Sequence, residues 1–386
     1  MNLILTDIKS VRDDLLPLTF TRPVAMLRTG IGTIADHWQR LLPHAAISFR
    51  TEDYLQGKYP CNASDPATDI TMAGHIIPSV ALAEAIAALG PGQWIADAAG
   101  QCIAECGNRQ GQPTATAETK AILQPYHIFE LSKELITADF HAVTAGRVSQ
   151  PVSPTCTVIG DPSLIFIEEG ADVEGCFINT RQGPVYIGAG AEVQETAVLR
   201  GPVCVGPDCL VRIGARLLPG TNLGPKCKVG GEIDNAIFLA NANKQHDGYL
   251  GDAVIGEWCN LGAGCNSSNL KNDYTEIRLW NYPTRRFLRT GLQFCGLIMG
   301  DHSKAGINTM FNTATVVGVG CNIHGSGFPR NFVASFSDGG AAGFTDVIMP
   351  RFLETARKVM SRRGVEMTDA DTSILEHIHE ITADLK

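Results

Sequence analysis

Apolar side chains recur at every sixth position from Ile187 to Val229: Ile187, Val193, Leu199, Val205, Val211, Leu217, Leu223 and Val229. The residue two places earlier is small or compact throughout: Val185, Ala191, Ala197, Val203, Cys209, Ala215, Thr221 and Cys227. A helix repeats its apolar face every 3.6 residues and an ordinary strand every second residue, so neither explains a period of six. Hexapeptides with small residues and glycines at the bends predict a parallel β-helix, each rung giving a short strand, one inward aliphatic and a turn. No coil buries its apolar face alone; stacking on its neighbours does so.

The period starts at Thr157, with Ile167 and Val173 in phase, and shifts by two residues across Arg181–Pro184. It lapses over Gly230–Gly251, which predicts a loop or irregular coil, and returns at Ile255 and Leu261 with Ala253 and Cys259 at the small positions. A polar, aromatic and basic stretch, Asn269–Gln293, precedes a third run of Met299, Ala305, Phe311, Val317 and Ile323. Solenoid insertions usually gather on one face, often the binding face. Chemistry is therefore expected where the period fails, at 230–251 and 269–293, and the perfect run is expected to be a spine.

The first 150 residues read differently. Met1–Thr6 predicts a buried strand, Ile34–Leu42 a helix, Asp69–Ile77 a strand broken by Gly74 and Pro78, and Gln93–Asp97 another strand. Ser79 is placed to cap a helix over Val80–Leu89, stopped by Gly90-Pro91-Gly92. This alternation predicts an α/β domain with a largely parallel sheet. Asn108–Thr119 reads as a loop and Pro125–Ala138 as a helix. Beyond Pro350 the chain reads as a charged helical tail, with Asp369 as cap of a last helix to Leu385. The expected units are an α/β domain over 1–150, a β-helix over 151–347 and a tail over 348–386.

Composition narrows the partners. A chain of 386 residues with net charge -9 argues against nucleic acid or an anionic membrane surface. There is no apolar run of membrane-spanning length, and Met1–Thr6 is too short for a signal peptide. The 12 Cys lack close metal-finger spacing, and Cys209, Cys227, Cys259 and Cys321 fall at small inward positions. Free thiols and a cytoplasmic setting are the expectation.

His246 stands out in NANKQHDGYLGD, as an imidazole on an irregular segment suited to general-base work near neutral pH. A solvated loop histidine is the alternative. Lys244 and Asn243 beside it are candidates for a phosphate. His246, His302 and His324 contain no H-x4-H pair, so a three-histidine zinc site is not expected. In the N-terminal domain no glycine-rich loop follows the first strand. Arg12, Arg22 and Arg28 remain as side-chain phosphate binders, and Asp7 or Asp97 as carboxylates for Mg²⁺.

The segment HDGYLGDAVIGEWCNLGAG, His246–Gly264, resembles the H-x-x-Y-x-G-D-x-x-I-G-x-x-x-N-I-G-A-G core of a known family. These are the bacterial bifunctional enzymes that make UDP-N-acetylglucosamine, joining a sugar-1-phosphate uridylyltransferase domain to a β-helical glucosamine-1-phosphate N-acetyltransferase. LLPLTFTRP (15–23) and GLQFCGLIMGDHSKAGINTMFNT (291–313) are similar to a branch with a short N-terminal domain. The resemblance implies a left-handed β-helix, a homotrimer, acetyl-CoA as co-substrate and an amino-sugar 1-phosphate as acceptor. It makes His246 the base, with Tyr249 and Asn260 lining the sugar phosphate, Ala263 offering its N–H to the thioester oxygen, and Asn269 orienting base or substrate. The chain departs from the pattern at Leu218, where the family has a phosphate-binding arginine, and at Gly74-His75, where it has the Gly-Asp that holds Mg²⁺. A family lysine near Asp234–Ala236 also has no counterpart. Lys244, Lys304, Arg285 and Arg286 are the candidates to replace these cations. Two alternatives stay open: a sugar-nucleotide binding or sensing protein with degenerate sites, and a uridylyltransferase with a non-standard metal site.

Overall fold

The computed structural model describes residues 1–386. The N-terminal sheet has β1 (Asn2–Thr6) flanked in parallel by β2 (Ala46–Arg50) and β3 (Ile70–Ala73). A short β4 (Ile76–Ile77) leaves the sheet, which continues through β5 (Trp94–Ala96), β6 (Cys102–Cys106) and β7 (Ala115–Thr116) in the order β2-β1-β3-β6-β5-β7. β8 (Lys120–Ala121) pairs with β4. β6 runs antiparallel to both β3 and β5, so the sheet is mixed rather than largely parallel. The cause is local. Asp97 Oδ1 accepts from the N–H groups of Ala99 and Gln101, turning the chain back at once without a crossover helix.

The helices start where their caps place them. After α1 (Lys9–Asp14), α2 (Ile34–Leu41) opens on a Thr33–Asp36 capping box and α3 (Val80–Ala87) on Ser79, whose hydroxyl accepts from Leu82 N. The expected helix over 125–138 is two, α4 (His127–Glu130) and α5 (Ser132–Thr144).

From Thr157 the chain winds into a parallel β-solenoid whose three faces are sheets of eight, nine and ten strands. The inward aliphatics from Ile187 to Val229 are all buried, as are Cys209, Cys227, Cys259 and Cys321, and all twelve cysteines are free. Each such Leu, Ile or Val contributes roughly 1.5–3 kcal/mol by leaving water. Three residues after the inward aliphatic the backbone turns left-handed, at Gly190, Thr196, Asp208, Gly214, Gly220 and Lys226. Of the two expectations for Gly230–Gly251 the irregular coil holds and the loop does not, because its strands stack in register on the coil before: Leu217 on Ile233, Leu223 on Phe238, Val229 on Lys244. Val205 pairs with Leu223 but Leu223 with Phe238, so this coil is three residues shorter and its period disappears. The stretch 269–293 holds an antiparallel hairpin, Arg278–Asn281 with Arg286–Arg289.

The α/β domain lies along one face of the solenoid. Ile237, Val254, Ile298 and Val316 project outward from that docking face into a single core with Leu15, Leu18, Phe20 and Trp38. Polar anchors surround it. Asn222 Nδ2 donates to Gly30 O at 2.5 Å, Arg28 Nε to Leu239 O at 3.2 Å, and Ser132 Oγ to Gly220 O at 2.8 Å. At its centre Arg22 forms a buried two-contact ion pair with Asp301, which also accepts from Thr21 Oγ1 (2.7 Å) and Glu257 N (2.8 Å). The hairpin joins the same junction through Asn281 to Asp14 (2.7 Å) and Tyr282 against Phe20.

The tail closes the structure. α6 (Met349–Ser361) runs along a second face of the solenoid, the tail face, where Arg363 just beyond its end donates to Lys226 O and Asn243 Oδ1. α7 (Asp369–Ile381) is capped by Thr368 in a box with Asp371, not by Asp369, and its His377 stacks on Tyr54 of the N-terminal domain. Trp258, His302 and Phe336 take left-handed backbone at one corner, and Phe336 and His302 meet Phe352 of α6 edge-on. Gly320 shares that corner because a Cβ there would stand 2.7 Å from the Phe336 ring.

Removing one partner of a buried pair leaves the other charge uncompensated, so Arg22→Ala is expected to cost about 3–5 kcal/mol, measured by denaturant unfolding. Burial holds the His302 imidazole down at about 3, against an unfolded value near 6.5. Below that unfolded value the unfolded chain binds a proton that the fold refuses, so stability is lost as pH falls. The slope approaches ~1.4 kcal/mol per pH unit until the folded value is reached. Unfolding free energies between pH 7 and 4.5 should show it, and His302→Gln should reduce the slope without abolishing it, because the buried His75 imidazole, held down at about 4, contributes over the same range.

Candidate functional site

The coils between 243 and 311 bring the candidate residues to successive faces of one level of the solenoid. Asn243, Asn260 and Lys304 are in register on neighbouring strands and form a column on the tail face. The chain then turns a corner at His246, which is exposed and whose side chain has no hydrogen-bond partner. Gly264 N donates to Asp247 O at 3.0 Å, which sets Ala263 one coil beyond His246 on the same corner. The Ala263 carbonyl accepts from Asn308 N at 2.7 Å, while its own N–H has no partner in the chain. Ile307, beside it, is 72% exposed.

Around that corner Tyr249 stands on the third, open face. Asn269 Nδ2 donates to the Tyr249 hydroxyl at 3.0 Å and to Asp252 Oδ2 at 2.7 Å, and Asn235 Nδ2 donates to Asp252 Oδ1 at 2.7 Å. Burial, with Asp234 and Asp252 nearby, pushes the Tyr249 hydroxyl well above its ordinary value. Asn269 therefore fixes Tyr249 and has no hydrogen bond to His246. Gly251 is required by this arrangement, since a Cβ there would lie 2.2 Å from the Tyr249 oxygen.

Lys304 lines a cavity of about 320 Å³ between the tail face and α6, with His302, Asn322, Asp338 and Arg351. Its ammonium donates to the Trp258 and His302 carbonyls, and burial holds it down at about 8. Lys244 is the clear departure. It occupies an inward position, paired with Val229 and fully buried, so its side chain is not a surface group free to meet a phosphate. Arg285 pairs with Asp384 of the tail, and Arg286 lies exposed on the hairpin, away from the column of Asn260 and Lys304.

The N-terminal candidates are also engaged. Open α/β sheets bind ligands at the carboxyl ends of their parallel strands, and here Val24 and Ala25 sit against the ends of β1 and β3. Asp7 accepts from Val24 N at 2.9 Å and Thr51 Oγ1 at 2.5 Å, and burial raises its pKa. Arg12 is buried, donating to Thr19 O at 3.0 Å and Tyr54 OH at 2.6 Å. Arg22 and Arg28 are spent on the solenoid, and Asp97 on its own turn. Mg²⁺ needs only one or two carboxylates beside phosphate and water, but Asp7 and Asp97 each already accept hydrogen bonds within the fold. What stays open is a cavity of about 500 Å³ among Lys9, Arg12, Glu52, Tyr54, Arg285 and His377. No helix is long and apolar enough to cross a membrane.

Residues 3–148 match the family model described as sugar nucleotidyl transferase. The chain is similar to proteins named bifunctional protein GlmU. That of Methanocaldococcus jannaschii is 33% identical over 121 residues, 31% of this chain and 28% of that protein. That of Bordetella parapertussis is 35% identical over 127 residues, 29% of this chain and 28% of that protein. A bifunctional sugar-1-phosphate nucleotidylyltransferase/acetyltransferase of Sulfurisphaera tokodaii is 28% identical over 165 residues, 42% of this chain and 40% of that protein. The aligned region thus spans well under half the length of these relatives. An Arabidopsis UDP-N-acetylglucosamine acyltransferase structure aligns with 55% of this chain and 80% of its own, at 14% identity and a TM-score of 0.22, too weak a likeness to argue from.

Gly251→Ala is expected to expel the Tyr249 hydroxyl from Asn269 and lower stability by about 1–3 kcal/mol, as overpacking does. Asn269→Ala should cost less, about 0.5–1.5 kcal/mol. Thermal unfolding of the two variants ranks them.

Proposed function

We propose that the solenoid transfers an acetyl group from acetyl-CoA to the amine of an amino-sugar 1-phosphate of the glucosamine-1-phosphate kind, in the service of UDP-N-acetylglucosamine-type synthesis. One observation carries this reading: an exposed imidazole and an unpartnered backbone N–H, His246 and Ala263, occupy the same corner on adjacent coils. Amide formation needs both. As the sugar amine attacks the thioester carbon, His246 takes the amine proton and the Ala263 N–H donates to the developing oxyanion. The C–S bond then breaks and the thiolate leaves, accepting a proton. Tyr249, held by Asn269, and the column of Asn260 and Lys304 flank this corner and are assigned to the sugar phosphate. The relatives' names support the reaction class. In this reading the enzyme works as a homotrimer in the cytoplasm.

For the N-terminal domain the engagement of Asp7 and Asp97 within the fold favours a second role, a sugar-nucleotide binding or sensing module without uridylyl transfer. Uridylyl transfer would use Mg²⁺, for which Asp7 and Asp97 are poorly disposed. Because the two domains share one core, both reactions belong in assays of the full chain. His246→Ala is expected to lower acetyl transfer by roughly 10²–10⁴-fold with assembly unchanged. A loss below about tenfold would remove His246 as the base. Release of pyrophosphate from UTP and a sugar phosphate by the full chain would restore uridylyl transfer to the N-terminal domain.

A further inference from the structure

Lys244 has no part in that chemistry and yet sits where the solenoid least tolerates it. Its column continues from Val229 to Leu261, and it is the only charged side chain that points into the solenoid core. An ammonium in an aliphatic column is costly to desolvate and needs partners close by. Both partners belong to the His246 corner. Nζ donates to the His246 carbonyl at 2.9 Å and approaches the Gly230 carbonyl of the preceding coil at 3.5 Å. The slot exists because Gly248 has no side chain: a Cβ there would stand 3.3 Å from Nζ and 2.1 Å from Cys265 O. Burial holds the ammonium at about 8, so it is still mostly protonated at neutral pH.

We propose that Lys244 is the positioning residue for His246, its buried ammonium clamping the His246 and Gly230 carbonyls from inside the solenoid and so fixing the turn from which the imidazole projects. The imidazole has no side-chain partner to orient it, so its placement depends on the backbone beneath it. Misplacement of a catalytic group by about an ångström can cost on the order of 10²-fold in rate. The assignment rests on the acetyl-transfer reading, but its structural half does not.

Lys244→Met in the full-length protein tests it with two readouts. Acetyl transfer to glucosamine-1-phosphate should show kcat lowered by about 10–100-fold with KM within about twofold and the melting temperature unchanged or raised. Amide exchange followed by mass spectrometry should accelerate over residues 245–248 alone. An unchanged exchange rate there overturns the proposal, as does a kcat loss that only parallels loss of melting temperature or assembly. His246→Ala in the same assay separates the two ideas. If it stays active, the base reading fails while the exchange measurement still decides the clamp. Should Lys244→Met not fold, Lys244→Leu, which likewise removes every N–H donor from the slot, is read by the same measurements.

Discussion

Parallel stacking at a fixed pitch is the constraint on which everything else here depends. Once one strand registers on the next, every outward position becomes a column and every column a surface. One face presents apolar columns and receives a domain. A second carries Asn243, Asn260 and Lys304 and receives a helix. The corner between the second and third faces is left to His246 and Ala263. The site is thus a matter of register: single residues on different coils meet only because the coils do not slip.

Register also explains why the two domains are not independent bodies. The docking face offers Ile237, Val254, Ile298 and Val316 to the α/β domain, and its perimeter is held by carbonyls and amides at coil corners. Arg22 and Asp301 add a charge pair that tolerates little displacement. The segment around Arg22 that makes this contact also sits, through Val24 and Ala25, against the ends of β1 and β3. Docking and open access to those strand ends are therefore competing uses of one stretch of chain.

Much of this was readable in the residues. The six-residue period located the coils, the small inward positions and the free thiols, and Ser79 marked its helix start. The mixed sheet leaves no mark in the hydrophobic pattern because the β5–β6 hairpin is set by one aspartate binding two amides, a signal with no periodicity. The shortened coil hid its own strands, since three missing residues erase a period without erasing the stacking. The docking face had a signal that periodicity overlooks. Ile237-Phe238, Val254-Ile255, Ile298-Met299 and Val316-Val317 are apolar pairs, whereas Glu192-Val193 and Asn260-Leu261 alternate. In these four strands both apolar residues are buried, as in a strand covered on both faces, whereas Phe177 and Met310, outward on the open face, stay exposed. For the candidate site, the residue types of His246, Tyr249 and Asn269 were legible, but the inward turn of Lys244 was not, because lysine beside an irregular stretch reads as solvated.

The shared core sets an order of events during synthesis. The α/β domain leaves the ribosome before the solenoid, yet the coils that bury its docking surface, as far as Phe332, come long afterwards, and α7 later still. Until then Leu15, Leu18 and Phe20 lack part of their covering, and an uncovered apolar surface on a nascent chain invites wrong partners. A chain built this way keeps apolar surface uncovered for longer during synthesis than one whose domains each close upon themselves.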